Sequence, residues 1–201
     1  MRLGILDSDL GGLILARWIR QHQPQWELVV AADTARAPLG RRTPEAIGEA
    51  AGRGADFLAG TGVDAIVISC HVLASIAGER LAKTLEMPVL SISEAAVSAA
   101  VAVSRKKRFG LLAARATVDS GYFEEALRRL CSEAKVFSEA PPLLTQLVEA
   151  DWLKKPVTGM IVKTYLRPLK IQQIDTLILG CSHLVALEKT LSRKAGARVS
   201  L

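Results

Sequence analysis

Apolar residues in the first ninety positions fall into short runs, separated by polar, glycine-bearing loops and by stretches with helical spacing. Residues 3–6 form an apolar run that predicts a central strand, followed by the turn-like D-S-D-L-G-G from Asp7 and an amphipathic stretch over residues 13–22. A second strand is predicted over residues 26–32. Thr43 before Pro44 reads as a helix N-cap followed by proline at the first helical position, so a helix starts near Pro44. Gly48, Gly52 and Gly54 weaken that helix by up to about 1 kcal/mol each relative to alanine. A third strand follows over residues 64–69, then a helix over 73–85 and a strand over 88–92 entered through a proline. Strands alternating with helices imply a parallel sheet with right-handed crossovers, and the fold class is α/β.

After an Ala-rich helix beyond Glu94 the pattern starts again. R-F-G-L-L from Arg108 matches R-L-G-I-L from Arg2, and I-D-T-L-I-L-G-C-S-H from Ile174 matches V-D-A-I-V-I-S-C-H from Val63. In both of the latter an aspartate stands six residues before a cysteine, at Asp64 and Cys70 and at Asp175 and Cys181. Glycine to cysteine spans 66 residues from Gly4 to Cys70 and 71 from Gly110 to Cys181. Matched landmarks at similar separation predict a duplicated α/β unit, with domains over residues 1–94 and 95–201; if the two face each other across a pseudo-two-fold, their strand ends share an active-site cleft. Within the second half, helices are predicted over residues 122–134, 143–148 and 157–169, with a strand over 135–138 and a last strand over 198–201.

Both matched strands deliver a cysteine at the carboxyl end, where open α/β sheets keep their chemistry. Thiols approaching one carbon from opposite sides suit racemisation, in which one side removes a proton and the other supplies one. A free thiol titrates near pH 8.5, so ionisable neighbours must set which of the pair is thiolate; His183 and Asp7 stand at neighbouring strand ends. The alternative is that these cysteines only pack, as buried cysteines commonly do. Cys131, inside the amphipathic stretch 122–134, reads as structural.

Composition narrows the partners. The net charge of +6 favours anionic ligands, but the run Arg105, Lys106, Lys107 and Arg108 has no interleaved aromatics and reads as a solvated loop, against a nucleic-acid surface. Three widely spaced cysteines without a CxxC argue against a disulfide framework or a structural zinc site and for a reducing compartment. Asp7 and Asp9 interrupt any signal-peptide run, and the longest apolar stretch, residues 95–103, is too short to span a bilayer, so the chain reads as cytoplasmic.

Four segments together resemble the signature segments of bacterial glutamate racemases: D-S-D-L-G-G from Asp7, A-D-T-A-R-A-P-L-G from Ala32, the Cys70 stretch, and L-G-C-S-H from Leu179. A-T-V-D-S-G-Y-F from Ala116 and L-V-E-A-D-W-L from Leu147 extend the likeness over nearly the whole chain. On these segments the chain is identified as a member of the aspartate/glutamate racemase superfamily. The resemblance implies a cofactor-independent, metal-free enzyme that takes a small acidic amino acid and supplies D-glutamate for peptidoglycan. Cys70 and Cys181 are then the acid/base pair, with Asp7, His183 and Glu149 assisting. Ser8, Gly40, Ser182 and Thr117 fall at substrate-holding or pocket-lining positions, as do Leu39, His71 and Val72. A homodimer and a contact with DNA gyrase are also implied as partners.

Departures from the family pattern lie in those same segments. Family members read D-S-G where this chain has Asp7, Ser8 and Asp9, and P-Y-G where it has Pro38, Leu39 and Gly40. They read C-N-T where it has Cys70, His71 and Val72, and C-T-H where it has Cys181, Ser182 and His183. Val72 has no side-chain donor, and each donor lost to a desolvated carboxylate costs about 1.5 to 3 kcal/mol. A protonated His71 is one expected substitute, placing a cation beside the substrate and lowering the Cys70 pKa. The family pattern also continues some fifty residues further, returning to the first domain. Two other functions therefore stand beside glutamate racemisation: a catalytically impaired homologue with a binding or regulatory role, and a superfamily enzyme acting on another small carboxylate.

Overall fold

A computed structural model describes residues 1–9 and 11–201; Leu10, inside the turn expected over residues 7–12, lies outside them. The chain divides into two compact units, Met1–Glu94 and Ala95–Leu201. Unit 1 runs β1 (Arg2–Asp7), α1 (Gly12–His22), β2 (Glu27–Ala32), α2 (Pro44–Gly60), β3 (Ala65–Ile68), α3 (His71–Thr84) and β4 (Val89–Ser91), and the chain leaves it through α4 (Ile92–Val103). Unit 2 continues with β5 (Arg108–Ala113), α5 (Arg115–Asp119), α6 (Tyr122–Leu130), β6 (Lys135–Glu139), α7 (Pro142–Glu149), α8 (Pro156–Ile171), β7 (Thr176–Gly180) and α9 (Glu188–Ala195).

Each unit is built on a parallel sheet, ordered β2-β1-β3-β4 in the first and β6-β5-β7 in the second. In both, the first strand of the unit lies in the middle, flanked by the second and by the strand that leads to the cysteine. The internal repeat extends to packing detail. A Cβ on Gly4 would meet the Val63 and Leu58 side chains at 3.3 Å, and one on Gly110 would meet Ile174 at 2.6 Å and Leu177 at 3.2 Å. Val63 and Ile174 immediately precede the matched aspartates, so the same missing side chain admits the same incoming residue in each unit. The aspartates repeat the pattern, for Asp64 accepts the Arg2 N–H at 2.6 Å and Asp175 accepts those of Lys106, Arg105 and Arg108 at 2.6, 2.7 and 3.4 Å.

Side chains alternate across β5, as strand geometry requires. Phe109, Leu111 and Ala113 pack with Val97 of α4 and with Phe123 and Leu127 of α6; Leu112 packs on the other face with Val162, Leu166 and Leu169 of α8. In unit 1, Leu3 and Ile5 face Ile19 and Leu15 of α1. The α2 start is as predicted: Thr43 caps it by accepting the Ala46 N–H, with Pro44 in the first turn.

Two expectations fail. No strand forms over residues 198–201; Ser200 makes a single parallel bridge to Thr176, while the Gly196 turn and Arg198 ahead of it leave no length for a ladder. Cys131 is not on the helix, because α6 stops at Leu130 and Cys131 takes extended geometry (φ −149°) to start the turn into β6. The basic run is exposed at Arg105 and Lys106, but its backbone is gathered around Asp175.

Burial pushes the Asp175 carboxyl up, yet the Lys106 N–H, the Ser104 hydroxyl and the Arg105 and Arg108 N–H groups together hold it below the usual aspartate value. A lowered folded pKa gives stability that is complete above the unfolded value and lost as the pH falls through the folded one. Asp175→Asn should therefore cost about 1–2 kcal/mol in urea unfolding at pH 7, and the difference between wild type and variant should shrink only as the pH falls below the usual aspartate value.

Candidate active site

In unit 1 the candidate residues stand at the carboxyl ends of β1 and β3. Parallel pairing sets Leu6 opposite Ile68, so Asp7 and Ser8 leave one strand beside Ser69 and Cys70 leaving the other. Asp7 is 2% exposed. Its Oδ1 accepts the Asp9 N–H at 3.0 Å and its Oδ2 accepts the Ser69 hydroxyl at 2.5 Å. Cys70, 7% exposed, occupies the N-cap of α3, and its sulfur lies 3.0 Å from the Ser8 hydroxyl.

The Cys70 thiol is pushed up to about 12, first by burial and then by the Asp7 charge. Hydrogen bonds from the Ser8 hydroxyl and from the N–H groups of Leu73 and Val72 oppose this without overcoming it. In the ligand-free protein Cys70 is therefore a protonated thiol at neutral pH, a group set to donate a proton. Val72, which has no side-chain donor, contributes its main-chain N–H from the first turn of α3.

His71 corrects the expectation of a cation. Its ring is buried and its Nδ1 lies 2.8 Å from the Ser93 hydroxyl. Desolvation lowers its pKa to about 4, so it is neutral at physiological pH. It neither supplies a positive charge for a carboxylate nor lowers the Cys70 pKa.

Leu39 is buried in the short 3-10 turn Leu39–Arg41, with Gly40 half-buried beside it. A cavity of ≈ 370 Å³ opens next to Asp7, lined also by Leu6, Leu39, Leu73, Arg36 and Arg53. The Arg36 guanidinium is already engaged by Asp33, at 2.9 and 3.0 Å to its two carboxylate oxygens.

In unit 2 the strand β7 ends at Gly180, where a Cβ would strike Ala113 at 2.8 Å and Leu111 at 2.9 Å. Only glycine lets the chain turn there against β5 and present Cys181, which is followed by the 3-10 segment Ser182–Leu187. His183 returns its Nδ1 to within 3.8 Å of the Cys181 sulfur, and its Nε2 lies 3.8 Å from a carboxylate oxygen of Glu149 at the end of α7. The His183 ring thus stands between the Cys181 sulfur and the Glu149 carboxylate, 3.8 Å from each. Thr117 lies in α5, and its buried hydroxyl has no hydrogen-bond partner among the described residues, which leaves a polar atom for a ligand to satisfy. Ser182 stands beside Cys181, half-buried.

Sequence reasoning missed Ser69. A hydroxyl residue closing an apolar strand immediately before Cys70 is visible in S-C-H, but its partner 62 residues earlier is not.

The Asp/Glu/Hydantoin racemase family model matches residues 14–200. The chain is 37% identical over 195 residues to a glutamate racemase of Neisseria meningitidis serogroup A, covering 96% of this chain and 72% of that protein. It is 37% identical over 191 residues to the glutamate racemase of Aquifex aeolicus, covering 95% and 74%. Among solved structures, glutamate racemase isoform RacE1 from Bacillus anthracis superposes with a TM-score of 0.94 at 32% identity, over 98% of this chain and 74% of that one. The Francisella tularensis glutamate racemase in complex with D-glutamate superposes with a TM-score of 0.91 at 26% identity, over 100% and 74%.

Two substitutions test what sets the Cys70 thiol. Asp7→Asn removes the charge that raises it and should speed iodoacetamide labelling of Cys70 at pH 9, while Ser8→Ala removes a bond that lowers it and should slow labelling. Peptide mass spectrometry separates Cys70 from the other two cysteines.

Proposed function

The chain belongs to the Asp/Glu/Hydantoin racemase family, and from that premise we propose that it interconverts L- and D-glutamate by two-thiol acid/base chemistry without a cofactor. The observation that carries this is the repeated strand-end cysteine, each in its own proton-handling surroundings: Cys70 with Ser8 and Asp7, Cys181 with His183 and Glu149.

A thiolate on one face takes the α-proton, the C–H electron pair stays on the α-carbon and delocalises into the adjacent carboxyl group, and the opposite thiol returns a proton. The two cysteines exchange roles when the reaction runs backwards. In the resting protein Cys70 holds its proton, so it is the natural donor, and Cys181 with the His183–Glu149 pair is the natural acceptor. Ser8, Ser182, Thr117 and the α3 N–H groups supply polar contacts to the substrate. D-Glutamate made in the cytoplasm would feed peptidoglycan assembly; among the described residues no helix is long and apolar enough to cross a membrane.

A second reading has the same chemistry acting on another small carboxylate. It is favoured by Val72 and the neutral His71, which give the first turn of α3 no charged or hydroxyl side chain directly after Cys70.

Incubation of either glutamate enantiomer with the protein in D2O should show α-proton exchange by NMR, and Cys70→Ser and Cys181→Ser should each lower racemisation by about a hundredfold or more. Exchange with aspartate or another carboxylate, and none with glutamate, selects the second reading; no exchange with any of them in a folded sample rejects both.

A further inference from the structure

Ser69 bonds Asp7 directly and has no part in the chemistry proposed above. It is 1% exposed and lies between the end of β3 and the cysteine. Its main-chain N–H already donates to the Leu6 carbonyl at 2.9 Å, continuing the ladder, so its hydroxyl is not needed to complete the sheet. That hydroxyl lies 3.2 Å from the same carbonyl but 2.5 Å from Asp7 Oδ2. One hydroxyl proton goes to the stronger acceptor, and 2.5 Å is the length of a charge-assisted O–H to carboxylate bond.

The other carboxylate oxygen is held by the Asp9 N–H. With one oxygen on β3 and the other on the loop after β1, the carboxylate plane cannot turn without breaking a bond. The start of α1 closes over the pair, for a Cβ on Gly12 would come 3.0 Å from Asp7 Cβ and 3.2 Å from Ser69 Oγ.

Resting on the racemase reading above, we propose that Ser69 is a positioning residue for the acid/base group of unit 1: its hydroxyl fixes and partly disperses the Asp7 carboxylate that faces Cys70. It touches neither the cysteine sulfur nor the substrate and acts only through Asp7. The titratable groups beside Cys70 are Asp7 on β1 and His71 on α3, and burial keeps His71 neutral. Without the Ser69 hydroxyl, the Asp7 charge is less dispersed and less restrained, which makes a thiolate at Cys70 harder to form.

The test is Ser69→Ala in the wild-type and in the Asp7→Asn backgrounds, with circular dichroism confirming the fold. Labelling of Cys70 by iodoacetamide at pH 9 should slow about threefold or more in the wild-type background, equal to about half a pH unit, and should be unaffected in the Asp7→Asn background. The kcat for racemisation should fall about tenfold, its pH profile should shift, and KM should stay within about twofold. Unchanged or faster labelling, the same slowing in both backgrounds, or an effect confined to KM overturns the proposal. Absence of exchange by the wild-type protein rejects the racemase reading alone, since labelling decides the role of Ser69 without turnover.

Discussion

Unit 1 is arranged around a carboxylate taken out of water. A buried ionised group costs several kcal/mol unless hydrogen bonds replace its hydration, and Asp7 is surrounded accordingly by the Ser69 hydroxyl and the Asp9 N–H. That solution constrains its neighbours. Glycine at position 12 lets α1 begin close to the pair, where a Cβ would crowd both side chains at 3.0 to 3.3 Å, and the thiol of Cys70 lies in the field of the Asp7 charge.

The two units repeat a scaffold and differ in what they build on it. Gly4 and Gly110, Val63 and Ile174, and Asp64 and Asp175 do the same mechanical work: a bare backbone admits an apolar side chain, and the following aspartate ties down the N-terminal edge of the central strand. Beyond the strand end the resemblance stops. Cys70 enters a full helix whose first N–H groups face its sulfur, and burial keeps its proton on. Cys181 enters a 3-10 segment, stays half-buried, and has an imidazole nearby with a carboxylate on that ring's other nitrogen. In the proposed reaction this difference assigns the resting roles, Cys70 as the acid and Cys181 as the base, for one of the two directions.

Most of the fold was legible because its signals are local. Apolar runs gave the strands, Thr43 and Pro44 gave the start of α2, and the repeated D-x-x-x-x-x-C spacing gave the duplication. The misses have physical causes. Residues 198–201, R-V-S-L, alternate polar and apolar positions and so read as a strand, but one bridge to Thr176 is all they make. Amphipathic spacing carries past Leu130, yet α6 ends there because the chain must extend to reach β6.

By itself the sequence determined the fold class, the internal repeat, the two strand-end cysteines and the residues near them, since periodicity and spacing survive in one dimension. The tertiary structure alone decided their electrostatics. Whether His71 is a cation, whether Cys70 holds its proton, and whether Ser69 matters to Asp7 all depend on burial and on partners from 22 to 62 residues away. Ionisation is set by the free energy of hydration lost and hydrogen bonds gained at one point in space, and no spacing rule along the chain encodes that balance.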